Sequence, residues 1–276
     1  MIAILADIHG NLHALEAVLA DMPKVDQIWS LGDMLSGPPF PCEVLEHLMN
    51  MDVPVYSVLG NNDERILTGR KTGFSRKFSA DKWVSQHLKP HHVKFLEGLP
   101  ICLSLDTIRG GALLFHGTPE NITGGVRNES DAIIAAKGYS ERWLAGGHRH
   151  RSAHYSIGAQ AFVVSGSVGL SIDGMGGMAA YTLLDETLAE PSVEFRHIPY
   201  DVDKAVSAIK NSTLMEVAPG LSRAYILELT NGKFYTMGLM TFAFDLAKKQ
   251  MGYRPETVPD EIWLQAEREW DGSEWR

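Results

Sequence analysis

Five short polar clusters stand out: Asp7-Ile8-His9-Gly10-Asn11, Gly32-Asp33, Gly60-Asn61-Asn62-Asp63, His116-Gly117 and Gly147-His148-Arg149-His150. Carboxylates and imidazoles in number suit a divalent transition metal such as Mn, Fe, Zn, Co or Ni. An all-oxygen set would point to Mg or Ca instead. Asp7-x-His9 offers two ligands from one loop, and His148-x-His150 offers two from another. A carboxylate such as Asp33 has two oxygens and can bridge two ions. The glycines at 10, 32, 60, 117 and 147 suit tight turns and close backbone approach. Any one of these clusters is commonplace on a protein surface. Together, each following an apolar strand-like run, they form a strong signal.

The elements that must position these clusters are legible in the first third of the chain. Ile2–Ala6, Gln27–Leu31 and Pro54–Leu59 read as buried strands. Asn11–Met22 carries Leu12, Leu15, Val18 and Leu19 at helical spacing, and Pro41–Met51 carries Val44, Leu45 and Leu48. Strands alternating with helices predict crossover units and parallel pairing. In such a sheet the carboxyl ends of the strands border the ligand crevice, and the clusters fall there. Strands are expected again over Ile101–Leu105, Ala112–Phe115, Trp143–Ala145, Ala153–Ile157, Ala161–Val164, Met178–Leu184 and Val193–Pro199. Arg109-Gly110-Gly111 reads as a hairpin turn, so this second half is expected to be mostly antiparallel. Helices are expected over Glu129–Lys137 and, capped by Asp201, as far as Asn211.

Two segments depart from this pattern. Residues 64–98 show no strand and read as a helical cap insertion, with helices over Ser79–Leu88 and His91–Leu96. The segment is basic, with Arg65, Arg70, Lys71, Arg76, Lys77 and Lys82 against few acids. Those cations suit either a solvated surface or contact with the extra phosphates of a nucleotide. Residues 211–276 read as a mostly helical C-terminal extension, with helices over Met237–Gln250 and Pro259–Trp270 and a linker between Pro255 and Pro259. Trp263, Trp270 and Trp275 make its end either a packing tail or a homo-oligomer contact.

Composition narrows the function classes. The 276 residues carry a formal net charge of −9, which argues against a stable nucleic-acid complex. It does not argue against a small phosphate ester, because metal ions supply positive charge locally. No apolar run approaches the ~20 residues that cross a bilayer, so no membrane association is expected. Met1–Ala6 has no basic n-region, so a cytoplasmic location is expected. Cys42 and Cys102 are too few for a disulfide framework and read as reduced thiols.

The motif order Asp-x-His, Gly-Asp, Gly-Asn-x-Asp, His-Gly, Gly-His-x-His resembles that of the calcineurin-like metallophosphoesterases. The small bacterial and archaeal phosphodiesterases of that superfamily are the nearest type. The resemblance covers residues 1–210 and includes Gly166-Ser167-Val168-Gly169 as the late Gly-Ser-x-Gly turn. It implies an α/β fold, a four-layer αββα sandwich of two mixed sheets flanked by helices. It implies that one metal takes Asp7, His9, Asp33 and His150, and the other Asp33, Asn61, His116 and His148. The implied activity is hydrolysis of a phosphodiester or nucleotide polyphosphate bond by a metal-bridging hydroxide. The implied substrate is a small phosphate ester, of which a nucleotide or dinucleoside polyphosphate is one class.

Asp33, Asn61 and His116 are then catalytic as well as ligands, with Asp63 and Arg149 in support. Asp63 is expected to orient the Asn61 loop or a ligand histidine, and Arg149 to reach the substrate phosphate or to face solvent. One departure concerns chemistry. Many members carry His directly after the motif Asn, where this chain has Asn62, which cannot act as a general acid. Good leaving groups, or a proton donor from elsewhere, are therefore expected. The alternatives are a phosphomonoesterase and a non-catalytic metal-binding interaction module of the same fold, as in the retromer subunit. The intact ligand set speaks against the module. His13, His47, His91, His92, His154 and His197 read as structural or solvent-facing, and His87 is the one cap histidine that could face the cleft.

Overall fold

The computed structural model describes residues 1–69 and 77–275. Its strands are β1 (Ile2–Leu5), β2 (Gln27–Ser30), β3 (Val55–Ser57), β4 (Cys102–Leu105), β5 (Ala112–Phe115), β6 (Trp143–Gly146), β7 (Ala153–Ile157), β8 (Gln160–Val164), β9 (Met178–Asp185) and β10 (Ser192–Pro199). They form two five-stranded sheets, ordered β10-β9-β1-β2-β3 and β4-β5-β6-β8-β7. In the first sheet β1, β2 and β3 run parallel. Helices α1 (Leu12–Asp21) and α2 (Pro41–Met49) make the crossovers. The return strands β9 and β10 are antiparallel.

The second sheet is parallel at its centre, β5 with β6 and β6 with β8, and antiparallel only at its edges. The expectation of a mostly antiparallel second half therefore fails for this sheet's centre. Helix α6 (Glu129–Ala136) is the reason, because it supplies the crossover from β5 to β6 that parallel pairing requires. The consequence is functional: β5 and β6 end on the same side, and the chain leaves them at His116 and Gly147.

Alternation along each strand divides its side chains between two cores. Ile2, Ile4, Trp29 and Leu31 face Leu114, Trp143, Ala145 and Val163 between the sheets. Ala3, Leu5 and Ile28 pack outward with Leu15, Val18, Val44 and Leu45 of α1 and α2. Leu113, Phe115, Leu144 and Phe162 pack outward with Ala132 and Ala136 of α6. The four layers are helix, sheet, sheet and helix.

The insertion holds α3 (Asn61–Thr68), α4 (Lys77–His87) and α5 (Pro90–Glu97). The extension holds α8 (Leu214–Val217), α9 (Pro219–Asn231), α10 (Tyr235–Met251) and α11 (Asp260–Glu269), after α7 (Val202–Asn211). Insertion and extension share one core. Ala80, Trp83 and Val84 cluster with Leu214, Leu221 and Tyr225, and Trp83 Nε1 donates to Thr213 Oγ1 at 2.8 Å. Trp263 (0% exposed) and Trp270 (4%) belong to this core, whereas Trp275 is 52% exposed. The aromatic tail is thus two packing residues and one surface residue. No helix among the described residues is long and apolar enough to cross a membrane.

Candidate metal centre

Parallel pairing gathers the polar clusters at one end of the two sheets. Asp7 and His9 follow β1, Asp33 follows β2, and Asn61 opens α3 after β3. His116 follows β5, and His148 and His150 follow β6. Five of these residues have left-handed backbone: Asp7 (φ 54°), His9 (52°), Asp33 (51°), His148 (65°) and His150 (55°). Side chains other than glycine rarely adopt it, and such residues persist only where the surroundings over-determine them.

Those surroundings are specific. Asp7 N–H donates to Gly32 O at 3.1 Å, His9 N–H to Asp33 O at 2.9 Å, and Gly10 N–H to Met34 O at 2.8 Å. The late turn clamps the first loop from above: Gly169 N–H and Ser167 Oγ both donate to Asp7 O, at 3.0 and 2.7 Å. Two glycines are sterically required. A Cβ on Gly60 would lie 2.0 Å from Asp33 N, and one on Gly169 would lie 1.8 Å from Ile8 O.

The ligand candidates fall into two groups, Asp7 with His9 and His150, and Asp33 with His116 and His148. His150 Nε2 lies 3.2 Å from Asp7 Oδ1 and 3.1 Å from His9 Nε2. His116 Nε2 lies 3.3 Å from Asp33 Oδ2, 3.1 Å from Asn61 Oδ1 and 3.2 Å from His148 Nδ1. The groups abut at Asp33, whose Oδ2 is also 4.0 Å from His9 Nε2. The outer nitrogens define the tautomers. His116 Nδ1 donates to Leu31 O at 2.7 Å, and His150 Nδ1 donates to Leu170 O at 2.5 Å. In the neutral ring each Nε2 then points a lone pair inward.

Asp7 Oδ1, fully buried, makes no hydrogen bond of good geometry among the described residues, with His150 Nε2 at 3.2 Å beside it. A buried carboxylate oxygen left orphaned among imidazole nitrogens fits a divalent cation, as does the mixed O/N donor set.

Electrostatics agree. Burial works against charge on Asp7 and Asp33, yet His150 and His116 hold both carboxylates below the usual range. The two histidines are themselves raised by the carboxylates against burial, His116 to about 10, so this positive charge occupies the place a cation's charge would take. Burial, reinforced by the neighbouring His150 ring, pushes His9 down to about 4, so it is neutral at pH 7.

Asp63 acts on backbone. Its Oδ1 accepts from Leu35 N–H at 2.9 Å, and its Oδ2 from Met34 N–H at 3.3 Å and Gly60 N–H at 3.0 Å. It therefore ties the Asp33 loop to the start of α3. Asn62 anchors Asp33: its backbone N–H donates to Oδ1 at 2.7 Å and its side-chain amide donates to Oδ2. Asn62 Oδ1 in turn accepts from Arg65, which pairs with Asp81 at 2.6 and 3.0 Å. This buried chain was not anticipated. The spacing of Asn62 and Arg65, three apart on one helix face, is the signal that could have found it.

A cavity of about 250 Å³ opens over the two groups. Its roof comes from the extension, as Tyr225 and Glu228 of α9, Phe234, and Thr236 of α10. No residue beyond Asn62 in the described part of the insertion lines it. Arg65, read as part of a basic cap, is buried and ion-paired; Lys82 is exposed. Arg70, Lys71, Arg76 and the Lys77 side chain lie outside the described residues. His87 stacks on Trp83 at 3.8 Å and does not line the cleft. Glu228 Oε1 accepts from Thr236 N–H at 2.9 Å and Oγ1 at 2.7 Å. Arg149 reaches the cavity wall. Gly125 makes room for it, since a Cβ there would lie 2.6 Å from Arg149 Cδ. The roof residues carry no motif, so nothing in the sequence marks them.

Comparison with known proteins agrees with this geometry. An uncharacterised protein of Methanocaldococcus jannaschii is 29% identical over 237 residues, covering 78% of this chain and 94% of its own. The symmetrical bis(5'-nucleosyl)-tetraphosphatase of Serratia proteamaculans is 32% identical over 82 residues, 29% of each chain. A metallophosphoesterase structure from Sphaerobacter thermophilus superposes with a TM-score of 0.71 at 27% identity, covering 84% of this chain and 99% of that one. A Pyrococcus horikoshii protein shares the fold, with a TM-score of 0.71 at 20% identity, covering 84% of this chain and 99% of that one. The calcineurin-like phosphoesterase superfamily domain matches residues 1–186, and the chain belongs to that superfamily.

Proposed function

We propose that the protein is a phosphohydrolase that uses two divalent metal ions to cleave nucleotide polyphosphate or phosphodiester bonds. The observation that carries this reading is the pair of donor groups meeting at Asp33 beneath a roofed cavity. Asp7, His9, Asp33 and His150 would hold one ion, and Asp33, Asn61, His116 and His148 the other. The ions, when bound, acidify water into a nucleophile at neutral pH and neutralise phosphoryl charge. The carbonyls of Leu31 and Leu170 keep His116 and His150 in the ligating tautomer. Arg149 supplies a planar pair of donors for phosphoryl oxygens at the cavity wall.

Asn62 is held between Asp33 and Arg65 and has no proton to lend. This favours leaving groups that depart without one, such as a phosphate released from a polyphosphate. The activity named for the Serratia relative, which aligns over part of the chain, supports the same class. The test begins by stripping the protein with chelator and adding back Mn, Zn, Co, Ni or Fe. Bound metal is then counted by mass spectrometry, and diadenosine tetraphosphate, bis-p-nitrophenyl phosphate and p-nitrophenyl phosphate are assayed. Two ions per chain and chelator-sensitive cleavage of the first two substrates are expected. Faster cleavage of the monoester would make the protein a phosphomonoesterase. Two bound ions without turnover would make it a binding module.

A further inference from the structure

The cleft over the metal centre continues past its mouth. Arg149, Ile172 and Phe234 line both that cavity and a second groove of about 450 Å³, which runs outward along Arg151, Lys233 and Trp275. The groove is preformed. Gly174 N–H donates to Gly232 O at 2.8 Å, fastening the 171–177 loop to the turn between α9 and α10. Trp275 N–H donates to Phe234 O at 3.0 Å. A Cβ on Gly238 would lie 2.2 Å from Ser273 O, so the tail lies hard against α10.

The groove's carboxylates are engaged within the protein. Asp173 accepts from the Ser171 hydroxyl and from Met175 N–H at 3.1 Å, and pairs with His197 at 3.2 Å. Glu274 pairs with Lys233 at 2.9 Å. Arg149 and Arg151 make no ion pair among the described residues, and the like charges of Arg127 and Arg151 act with burial against charge on Arg149, offset in part by Asp131. Arg151 donates to Ile172 O at 3.1 Å. Unpaired guanidiniums gathered in a groove are suited to a multivalent anion. Beside them stands the half-exposed indole of Trp275, edge-on to Phe234 at 6.1 Å. An inorganic polyphosphate would leave the aromatic pair without a role, and the net charge of −9 opposes a long nucleic acid. Phosphates joined to an aromatic base use both features.

We propose that this groove is a nucleotide subsite for the part of the substrate beyond the scissile phosphate, its phosphates on Arg149 and Arg151 and its base stacked on Trp275. The proposal rests on the phosphohydrolase reading of the metal centre, and its test separates the two. ADP and tripolyphosphate binding is measured by equilibrium dialysis in chelator, for wild type, Trp275→Ala, Trp275→Phe and Arg151→Ala. Losing one base–aromatic stack is expected to weaken ADP roughly tenfold in Trp275→Ala, with a much smaller effect on tripolyphosphate. Trp275→Phe should restore most of the loss, and Arg151→Ala should weaken both ligands. In manganese-loaded protein, the KM for diadenosine tetraphosphate relative to bis-p-nitrophenyl phosphate should rise about tenfold in Trp275→Ala. Unchanged ADP affinity and unchanged KM ratio in Trp275→Ala would overturn the proposal. So would a change of oligomeric state by light scattering with nucleotide binding intact. ADP binding lost in Trp275→Ala, in a protein that hydrolyses neither ester, would uphold the groove and sink the phosphohydrolase reading.

Discussion

Among the described residues, buried histidines meet carboxylates in two places, and their outer hydrogen bonds differ. At the strand ends, Nδ1 of His116 and of His150 each donates to a carbonyl, which leaves Nε2 free to face Asp33 or Asp7. Within α2, Glu46 meets His91 at 2.9 Å and His92 at 3.0 Å. There His92 Nδ1 accepts from Lys89 N–H at 3.2 Å, so its Nε2 carries the proton and donates to Glu46. The buried ring is saturated. Similar residues at similar distances thus make a group suited to a cation in one place and a helix-to-helix strut in the other. The partner of the far nitrogen decides which.

That contrast can be broken by experiment. The largest effect belongs to Asp33→Asn, which removes the charge shared by both groups. Metal content should fall for both ions, with a rate loss beyond the roughly 100-fold upper range for losing a ligand's hydrogen-bond partner. Full metal content by mass spectrometry would refute sharing. Next comes Asn62→Ala, which removes the amide that orients Asp33 and should weaken metal binding about tenfold. A competition titration with a chromogenic chelator measures it, and unchanged affinity would mean that Asn62 orients nothing. The smallest effect belongs to Glu46→Gln, which should alter neither metal content nor turnover; a third bound ion lost in this variant would overturn the strut.

The strut also predicts a pH signature. His91 first, then His92, hold the Glu46 carboxyl down at about 2. A depressed carboxylate stabilises the fold above its unfolded pKa of about 4.5. The contribution disappears as pH falls towards 2. Melting curves of wild type and Glu46→Gln should therefore differ slightly at pH 6 and converge as pH is lowered to 2.

The floor of the cleft was legible because its signal is local. Asp7, His9, His148 and His150 adjoin apolar runs short enough to read as strands, and glycines flank them. The strands β5 and β7 fall where alternation and turn residues place them. Pairing was not local. The parallel union of β5 with β6 depends on α6, which was legible over Glu129–Lys137, but its position across the sheet is encoded by no single segment. Helix α3 was hidden because Gly60-Asn61-Asn62-Asp63 is turn-like in composition, and Asp63 supports the helix start through tertiary bonds to the Asp33 loop. Helix α9 was hidden for the opposite reason. Leu221, Ser222, Ala224, Tyr225, Glu228 and Leu229 are all buried, so it shows no clean apolar stripe. The roof of the cleft therefore became visible only with the packing that makes it.

The left-handed backbone at five ligand positions has a bearing on how this protein can be improved or can drift. A strained residue of that kind costs on the order of 1–3 kcal/mol, so the ligand loops oppose the scaffold's own stability while metal is absent. Asn, whose short amide can hydrogen-bond to local backbone, visits that conformation more readily than most side chains. His148→Asn is therefore expected to raise the melting temperature of chelator-treated protein while weakening metal binding, and calorimetry beside metal analysis reads both. A laboratory selection for heat resistance alone, run without metal, should discard these histidines and aspartates before it touches the core.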